Sequence, residues 1–208
     1  MAPQSNLETF LGGFAKILGE QWQVDLLLKA GDTKEGEAIS AHKLVMAARS
    51  EVIKKILEFD KFKASDGKIE TVTLSELKQE ELEALVEFIY NNRSMLSEKE
   101  KKHVQSLYKA ADKYEIPHLR DLCRNELIAS LNSSNVFNIF ELSVIPIDST
   151  LYDYAVKFII RNLRTMCDSA EFKVFVSRNP DLSVEIMKAS MTRRWNGQFC
   201  DAAFVSFG

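Results

Sequence analysis

The sequence predicts an α+β domain, in which a small mixed sheet is flanked by helices, followed by an all-helical extension. Three segments have the composition of strands, at residues 24–29, 38–41 and 69–74. Between and after them, apolar residues recur at helical spacing. Beyond residue 132 every periodic segment has the spacing of a helix, which separates the extension from the mixed domain.

Composition places the chain among ordinary soluble globular proteins. Its 208 residues are 46% hydrophobic and 27% charged, enough for one large domain or two small ones. A net charge of −3 and a single short basic cluster at 192–194 do not favour a nucleic-acid partner. No apolar run approaches membrane-spanning length. Three cysteines without a CxxC pair favour a reducing compartment, so we expect a cytoplasmic or nuclear location, or both.

The first predicted helix begins after Ser5-Asn6 and ends near Gly19. Gly12 and Gly13 weaken it in isolation, since each glycine costs about 1 kcal/mol in a helix interior. We therefore expect the helix to need a partner surface. Its apolar face contains Leu7, Phe10, Leu11, Phe14, Ile17 and Leu18.

The remaining elements of the mixed domain follow from the same patterns. The strand at 24–29 is apolar at nearly every position, which predicts burial on both faces. A turn at 31–36 leads to the short strand 38–41. Helical apolar spacing then covers residues 52–57, 82–89, 104–114 and 119–127, with breaks at 91–93 and at Ile116-Pro117.

The best candidate domain boundary is Asn132-Ser133-Ser134-Asn135, which combines loop composition with a helix-start signal. It predicts a first domain at 1–131 and a helical region at 132–190. Residues 191–208 lose periodicity and are expected to form a tail rich in aromatic residues.

Residues that could carry chemistry do not assemble into a recognisable site. His42, His103 and His118 have no ligand-like spacing, so a structural role is favoured for His42. Cys123 lies on an apolar helix face, where thiols are usually inert. There is no Gly-rich phosphate loop. We therefore predict no enzyme activity and no catalytic, cofactor-binding or metal-binding residues.

Several motifs resemble the BTB/POZ family of dimerising interaction domains. They are Ala41-His42-Lys43 followed by Ala47-Ala48-Arg49-Ser50, then Phe88-Ile89-Tyr90, then Tyr108–Tyr114 and Leu119–Leu127. After Asn132 the chain resembles the start of a BACK domain. Residues 155–159 and 172–189 are similar to the C-terminal part of MATH-BTB proteins.

The resemblance implies a two-fold dimer. In the family the first helix packs across the dimer interface, often on the partner chain. It also implies a charged pair in a pocket near that interface, which here would be Asp25 and Lys43. The predicted dimer-interface residues are Leu7, Phe10, Leu11, Phe14, Asp25 and Lys43.

The resemblance also implies binding to cullin-3. Family members insert an apolar loop residue into cullin-3, and Phe62 stands at that position, although Ala64 replaces the Glu that usually follows. The predicted cullin-binding residues are Phe62, Tyr90, Val136 and Phe140. The expected function is a homodimeric adaptor that brings an unidentified substrate to a cullin-3 RING E3 ubiquitin ligase. The alternative is a cullin-independent scaffold that heterodimerises with MATH-BTB partners.

Overall fold

The computed structural model describes residues 6–32, 34, 37–60, 69–91, 94–145 and 147–195, with the backbone alone at 6–11, 14, 60 and 192–195. The chain divides into two compact units after Glu126. This division falls within the helix Pro117–Ala129 and lies five residues before the predicted domain boundary at 131/132.

The first unit contains the mixed sheet and the helices around it. Its elements are α1 (Asn6–Gly19), β1 (Leu26–Ala30), β2 (Ile39–Ala41), α2 (Lys43–Arg49), α3 (Glu51–Asp60), β3 (Glu70–Leu74), α4 (Gln79–Asn91), α5 (Glu98–Lys102), α6 (Val104–Lys113) and α7 (Pro117–Ala129). The predicted α+β architecture is confirmed, because three short strands lie among helices.

The described strands form one mixed sheet in the order β2-β1-β3. Strand β1 pairs antiparallel with β2 and parallel with β3. Leu26 is opposite both Ala41 and Glu70, so these three residues form one row across the sheet. The residues next to this row, Asp25 and His42, are thereby brought to the same end of the sheet.

Burial along β1 differs from the sequence prediction. Leu26, Leu28 and Ala30 are buried, whereas the intervening residues are only half-buried. The expectation of full burial on both faces is therefore wrong. One face carries the core, because side chains alternate between the two faces of a strand.

The turn that follows β1 is fixed by a close backbone approach. Gly31 donates its N–H to the carbonyl of Leu77 at 2.8 Å. A Cβ at Gly31 would lie 2.2 Å from the carbonyl oxygen of Ser75. Only glycine therefore fits where the turn after β1 meets the turn after β3.

The second unit is entirely helical in its described residues. After the C-terminal end of α7 come α8 (Val136–Val144), α9 (Ser149–Met166), α10 (Ala170–Arg178) and α11 (Pro180–Trp195). Its core includes Phe137, Phe140 and Phe175, and the ring of Phe175 contacts both of the others. Side-chain caps begin two of the helices, since Asp148 accepts from the Leu151 N–H and Ser169 from the Phe172 N–H.

Helix α11 corrects the predicted start of the tail. The sequence placed the tail at residue 191, but α11 continues to Trp195. The periodicity fades because α11 is apolar on two faces: Ile186 is buried, while Val184, Met187 and Met191 are exposed. A helix with apolar residues on both sides lacks the one-sided pattern by which it would be recognised.

Candidate protein-interaction face

Three charged residues meet at one end of the sheet. Asp25 immediately precedes β1, Lys43 begins α2 just after β2, and Glu70 begins β3. The row formed by Ala41, Leu26 and Glu70 explains this convergence, because each charged residue belongs to that row or lies within two residues of it.

Asp25 and Lys43 are in contact, but not as the ion pair that the resemblance implied. Oδ1 of Asp25 accepts a hydrogen bond from the backbone N–H of Lys43 at 2.8 Å. The carboxylate thus caps the first turn of α2, where an anion is favoured by the unpaired amides. Within the chain Asp25 is exposed, so the expectation that the two charges are buried together is wrong for the single chain.

The ammonium group of Lys43 binds a different carboxylate. Its Nζ lies 2.7 Å from Oε2 of Glu70, whose side chain is only 7% exposed. Oε1 of Glu70 has no hydrogen-bond partner among the described residues. A nearly buried carboxylate with one free oxygen is costly unless a further donor reaches it.

His42 links α2 to the loop before β1. Its backbone N–H donates to the Tyr90 hydroxyl at 2.8 Å, and its Nδ1 lies 2.7 Å from the same oxygen. Its Nε2 lies 2.7 Å from the carbonyl oxygen of Trp22. One arrangement satisfies all three contacts: Tyr90 donates to Nδ1, and Nε2–H donates to Trp22. His42 therefore has the structural role predicted for it.

The protonation of Tyr90 supports this arrangement. Burial raises the pKa of Tyr90 to about 12; the hydrogen bond from the His42 amide opposes the rise and the nearby charge of Asp25 adds to it. The hydroxyl consequently keeps its proton at neutral pH and remains available as a donor to His42.

The loop anchored by His42 displays an apolar side chain. Gln21 and Gln23 have positive φ angles of 50° and 52°, a conformation that is strained for residues with a Cβ. Between them, the side chain of Trp22 is 59% exposed. Leu44, two residues after His42, is 78% exposed. We call the surface formed by Trp22, Asp25, Lys43 and Leu44 the anchored face.

Three residues predicted to contact cullin-3 are core residues. Tyr90 is 1% exposed, and Val136 and Phe140 are 0% exposed. A partner cannot reach these side chains without opening the fold, so their placement on a binding surface is wrong. Helical spacing placed them on helices correctly, but α4 and α8 have apolar residues around most of their circumference.

Other residues predicted to lie at the cullin-3 and dimer interfaces are outside the part of the chain that the structure describes. Phe62 and Ala64 are outside the described residues, as are the side chains of Leu7, Phe10, Leu11 and Phe14. The backbone of α1 is described, and the helix packs against α4 of its own chain. The position of α1 against a partner chain remains a prediction.

Sequence reasoning missed two structural carboxylates. Glu70 could not be found, because its proximity to Lys43 arises from the pairing of β1 with β3. Glu100 could have been found. Ser97 and Glu100 form a capping box at the start of α5, and the S-x-x-E spacing that signals this motif is present in the sequence.

The possible metal ligands, the buried thiol and the helix lengths can each be assessed within the described residues. No group of three His, Cys, Asp or Glu side chains among them is arranged to hold a metal ion. Burial, together with the charges of Glu100 and Glu126, raises the pKa of the Cys123 thiol to about 12, so the thiol is unreactive at neutral pH. None of the described helices has the length and apolar character needed to cross a membrane.

A small mixed sheet, helices on its faces and an exposed apolar surface fixed by a polar network define a protein-interaction module. Comparison with known families agrees, because residues 15–131 match the BTB/POZ domain. The chain belongs to the BTB/POZ family, whose domains mediate protein–protein interactions.

Named relatives extend the similarity beyond the matched domain. The chain is 63% identical to the putative BTB/POZ domain-containing protein At2g40450 of Arabidopsis thaliana, over 93% of each chain. It is 56% identical to the BTB/POZ domain-containing protein At5g48510 of the same plant, over 92% of this chain and 85% of the relative. Among solved structures, the BTB domain of zebrafish PATZ1 matches with a TM-score of 0.47 and 16% identity, over 62% of this chain and 99% of that chain.

Proposed function

We propose that the protein is a homodimeric adaptor whose two copies associate through the anchored face. The observation that carries this proposal is the exposure of Trp22 and Leu44, at 59% and 78%, beside a network that holds their backbone in place. Large apolar side chains on a rigid frame are typical interface anchors, since little conformational entropy is lost when they bind.

The ion pair beneath this face supports the same proposal. Lys43 keeps 30% of its side chain exposed, and Oε1 of Glu70 lacks a partner among the described residues. A second copy that covers the face would exclude water from the partly exposed ammonium group of Lys43 and so strengthen its pairing with Glu70. A stable apolar dimer of this kind buries about 2,000 Å² or more.

Removal of α1 tests the homodimer, because the resemblance to the BTB/POZ family implies that this helix packs across the dimer interface. The full chain should run as a dimer by light scattering, and deletion of residues 1–19 should give monomer or aggregate, because the deletion exposes the surface that the helix covers. A full-length protein that is monomeric at micromolar concentration would refute the homodimer.

We further propose that the dimer is a substrate adaptor of a cullin-3 RING E3 ubiquitin ligase, with residues 132–190 acting as a BACK-like extension. Membership of the BTB/POZ family and the apolar Phe62 support this role. The adaptor would hold its substrate near the ligase and so raise the effective concentration of the substrate, without any catalysis of its own.

Titration calorimetry with the N-terminal region of cullin-3 tests the adaptor proposal. We expect wild type to bind, Phe62→Ala to lose roughly thirtyfold in affinity as an anchor residue would, and Ala64→Glu to bind more tightly. Binding that is unchanged by Phe62→Ala would place the contact elsewhere. If wild type gives neither heat nor pull-down, the ligase adaptor is excluded.

The second candidate is a cullin-independent scaffold that heterodimerises with MATH-BTB partners. The specific observation that favours it is Ala64, which stands where the resemblance leads us to expect a Glu that contacts cullin. Co-expression with a MATH-BTB protein, followed by light scattering of the purified complex, would give a mixed dimer under this candidate and separate homodimers under the first.

A further inference from the structure

The outer edge of the sheet borders a cavity that the anchored face does not use. Among the described strands, β2 has a single neighbour, β1, and stands at the end of the sheet. An open cavity of about 490 Å³ lies beside it, with walls contributed by α4, by Lys99 of α5 and by the C-terminal end of α1. Its volume is in the range of ordinary ligand sites.

The backbone edge of β2 lines this cavity. Ile39 and Ser40 of β2 border it, as does Ala38 just before the strand. Successive side chains of a strand point to opposite faces of the sheet, so two consecutive strand residues both border one space where the strand edge faces it. An unpaired edge is a template for another extended chain.

The wall opposite β2 is acidic. Glu37, Glu83 and Glu87 line the cavity, and Lys99 is the single basic residue among the described residues that line it. Nζ of Lys99 lies 3.0 Å from Oε2 of Glu83 and 4.0 Å from Oε2 of Glu87. The described residues that line the cavity therefore carry a formal net charge of −2.

The same cavity also has an apolar side. Leu18, Ile39 and Val86 contribute to its lining, and Val86 is 2% exposed. Gln79 helps to hold the arrangement, because its Nε2 donates to the carbonyl oxygen of Glu37 at 3.1 Å. An extended chain lying along β2 would turn alternate side chains toward α4, which carries Glu83 and Glu87, and the others toward the opposite face of the sheet.

We propose that this edge cavity is a docking site for an extended segment of a partner protein, in which Lys or Arg alternates with β-branched residues. The segment adds a strand to β2, and its basic side chains pair with Glu37 and Glu87. The proposal goes beyond the dimer and the cullin contact, because it uses a different edge of the first unit and predicts the sequence character of the partner.

Fluorescence anisotropy with a defined peptide tests this site on the full-length protein. The probe is a labelled hexapeptide, acetyl-Val-Lys-Val-Arg-Val-Lys-amide, and two further versions carry N-methyl groups on the odd or on the even residues. Strand pairing uses the N–H groups of alternate residues only. We therefore expect the unmodified peptide and one methylated version to bind, and the other methylated version to lose binding.

Charge reversals test the carboxylates. Glu37→Lys combined with Glu87→Lys should weaken the unmodified peptide roughly tenfold, as the loss of two exposed ion pairs implies. The control is Glu58→Lys, an exposed residue outside the cavity lining, which should leave binding unchanged. Higher salt should weaken binding to the wild type.

Each other outcome overturns the proposal. Equal binding of both methylated peptides would show electrostatic attraction without strand pairing. No binding of the unmodified peptide, or equal binding to the reversed variant, would exclude the site. Light scattering of the same samples shows whether the protein is dimeric, so a failure of docking is distinguished from a failure of the proposed dimer.

Discussion

Each of the two units of this protein is stabilised internally by a different kind of contact. In the first unit, buried polar groups join residues far apart in sequence: Tyr90 to His42, and Ser50 to the carbonyl oxygen of Tyr114 at 2.5 Å. In the second unit, the core is a cluster of aromatic rings, with Phe137 and Phe175 stacked at 4.9 Å between centroids. Directional bonds fix the position of a surface loop, whereas apolar packing tolerates small shifts. The anchored face accordingly lies on the unit with the polar connections.

The largest expected effect is in the aromatic core. Phe140→Ala should reduce the free energy of unfolding by about 3–5 kcal/mol, because a fully buried ring leaves a cavity. Chemical denaturation measures the loss, and hydrogen exchange should accelerate at the amides of α8 and α9. A change below about 1 kcal/mol would show that the ring is not part of the packed core.

The polar network of the first unit should be the next most sensitive. Tyr90→Phe keeps the ring but removes the hydroxyl that contacts both the amide and Nδ1 of His42. We expect a loss of about 1–3 kcal/mol, since a buried donor loses its partner. The control is Tyr154→Phe, at a residue that is 51% exposed and should leave stability unchanged. If Tyr90→Phe and Tyr154→Phe have the same free energy of unfolding, the hydrogen bonds between Tyr90 and His42 do not stabilise the fold.

Acid should weaken the contacts that Glu76 makes with Lys113 and Tyr114 in the first unit. Burial raises the pKa of Glu76, but hydrogen bonds from Lys113 and Tyr114 outweigh it and lower the pKa below its ordinary value. The contribution of the ionised Glu76 to the stability of the fold is therefore complete above the pKa that Glu76 has in the unfolded chain. It is lost as the pH falls through the pKa that Glu76 has in the folded protein. Melting curves between pH 5 and pH 3 should show wild type losing more stability than Glu76→Gln. Parallel losses would contradict the prediction.

The smallest effect concerns the thiols. At a pKa of about 12, only roughly one Cys123 side chain in ten thousand is a thiolate at pH 8. In a Cys200→Ser background, a thiol reagent should label the exposed Cys167 in the folded protein and should label Cys123 only after unfolding. Rapid labelling of Cys123 in native conditions would show that the core around α7 opens readily.

Local patterns in the sequence were sufficient to predict the helices and strands, but not the contacts between them. The strand predicted at 24–29 is observed at Leu26–Ala30, and that predicted at 69–74 at Glu70–Leu74. In contrast, the pairing of Lys43 with Glu70 depends on the sheet register, which no local pattern contains.

The candidate surface residues were less predictable than the fold. Tyr90 was expected at the surface because it matches a contacting tyrosine of the family, but its hydroxyl is held inside by His42. Trp22 and Leu44 were not singled out, since an exposed apolar residue has no distinct signal in a single sequence. The role that we propose for them rests on the hydrogen-bond network beside them.

Sedimentation equilibrium of wild type and Leu44→Asp, over a range of concentrations, tests the anchored face most directly. Wild type should sediment at twice the 23.7 kDa mass of one chain. Leu44→Asp should be a folded monomer, because a charge at the centre of an apolar contact is desolvated without a partner. Met95→Asp, at a residue 75% exposed in the same unit but outside the anchored face, should remain a dimer. A Leu44→Asp protein that dimerises as tightly as wild type would contradict the account.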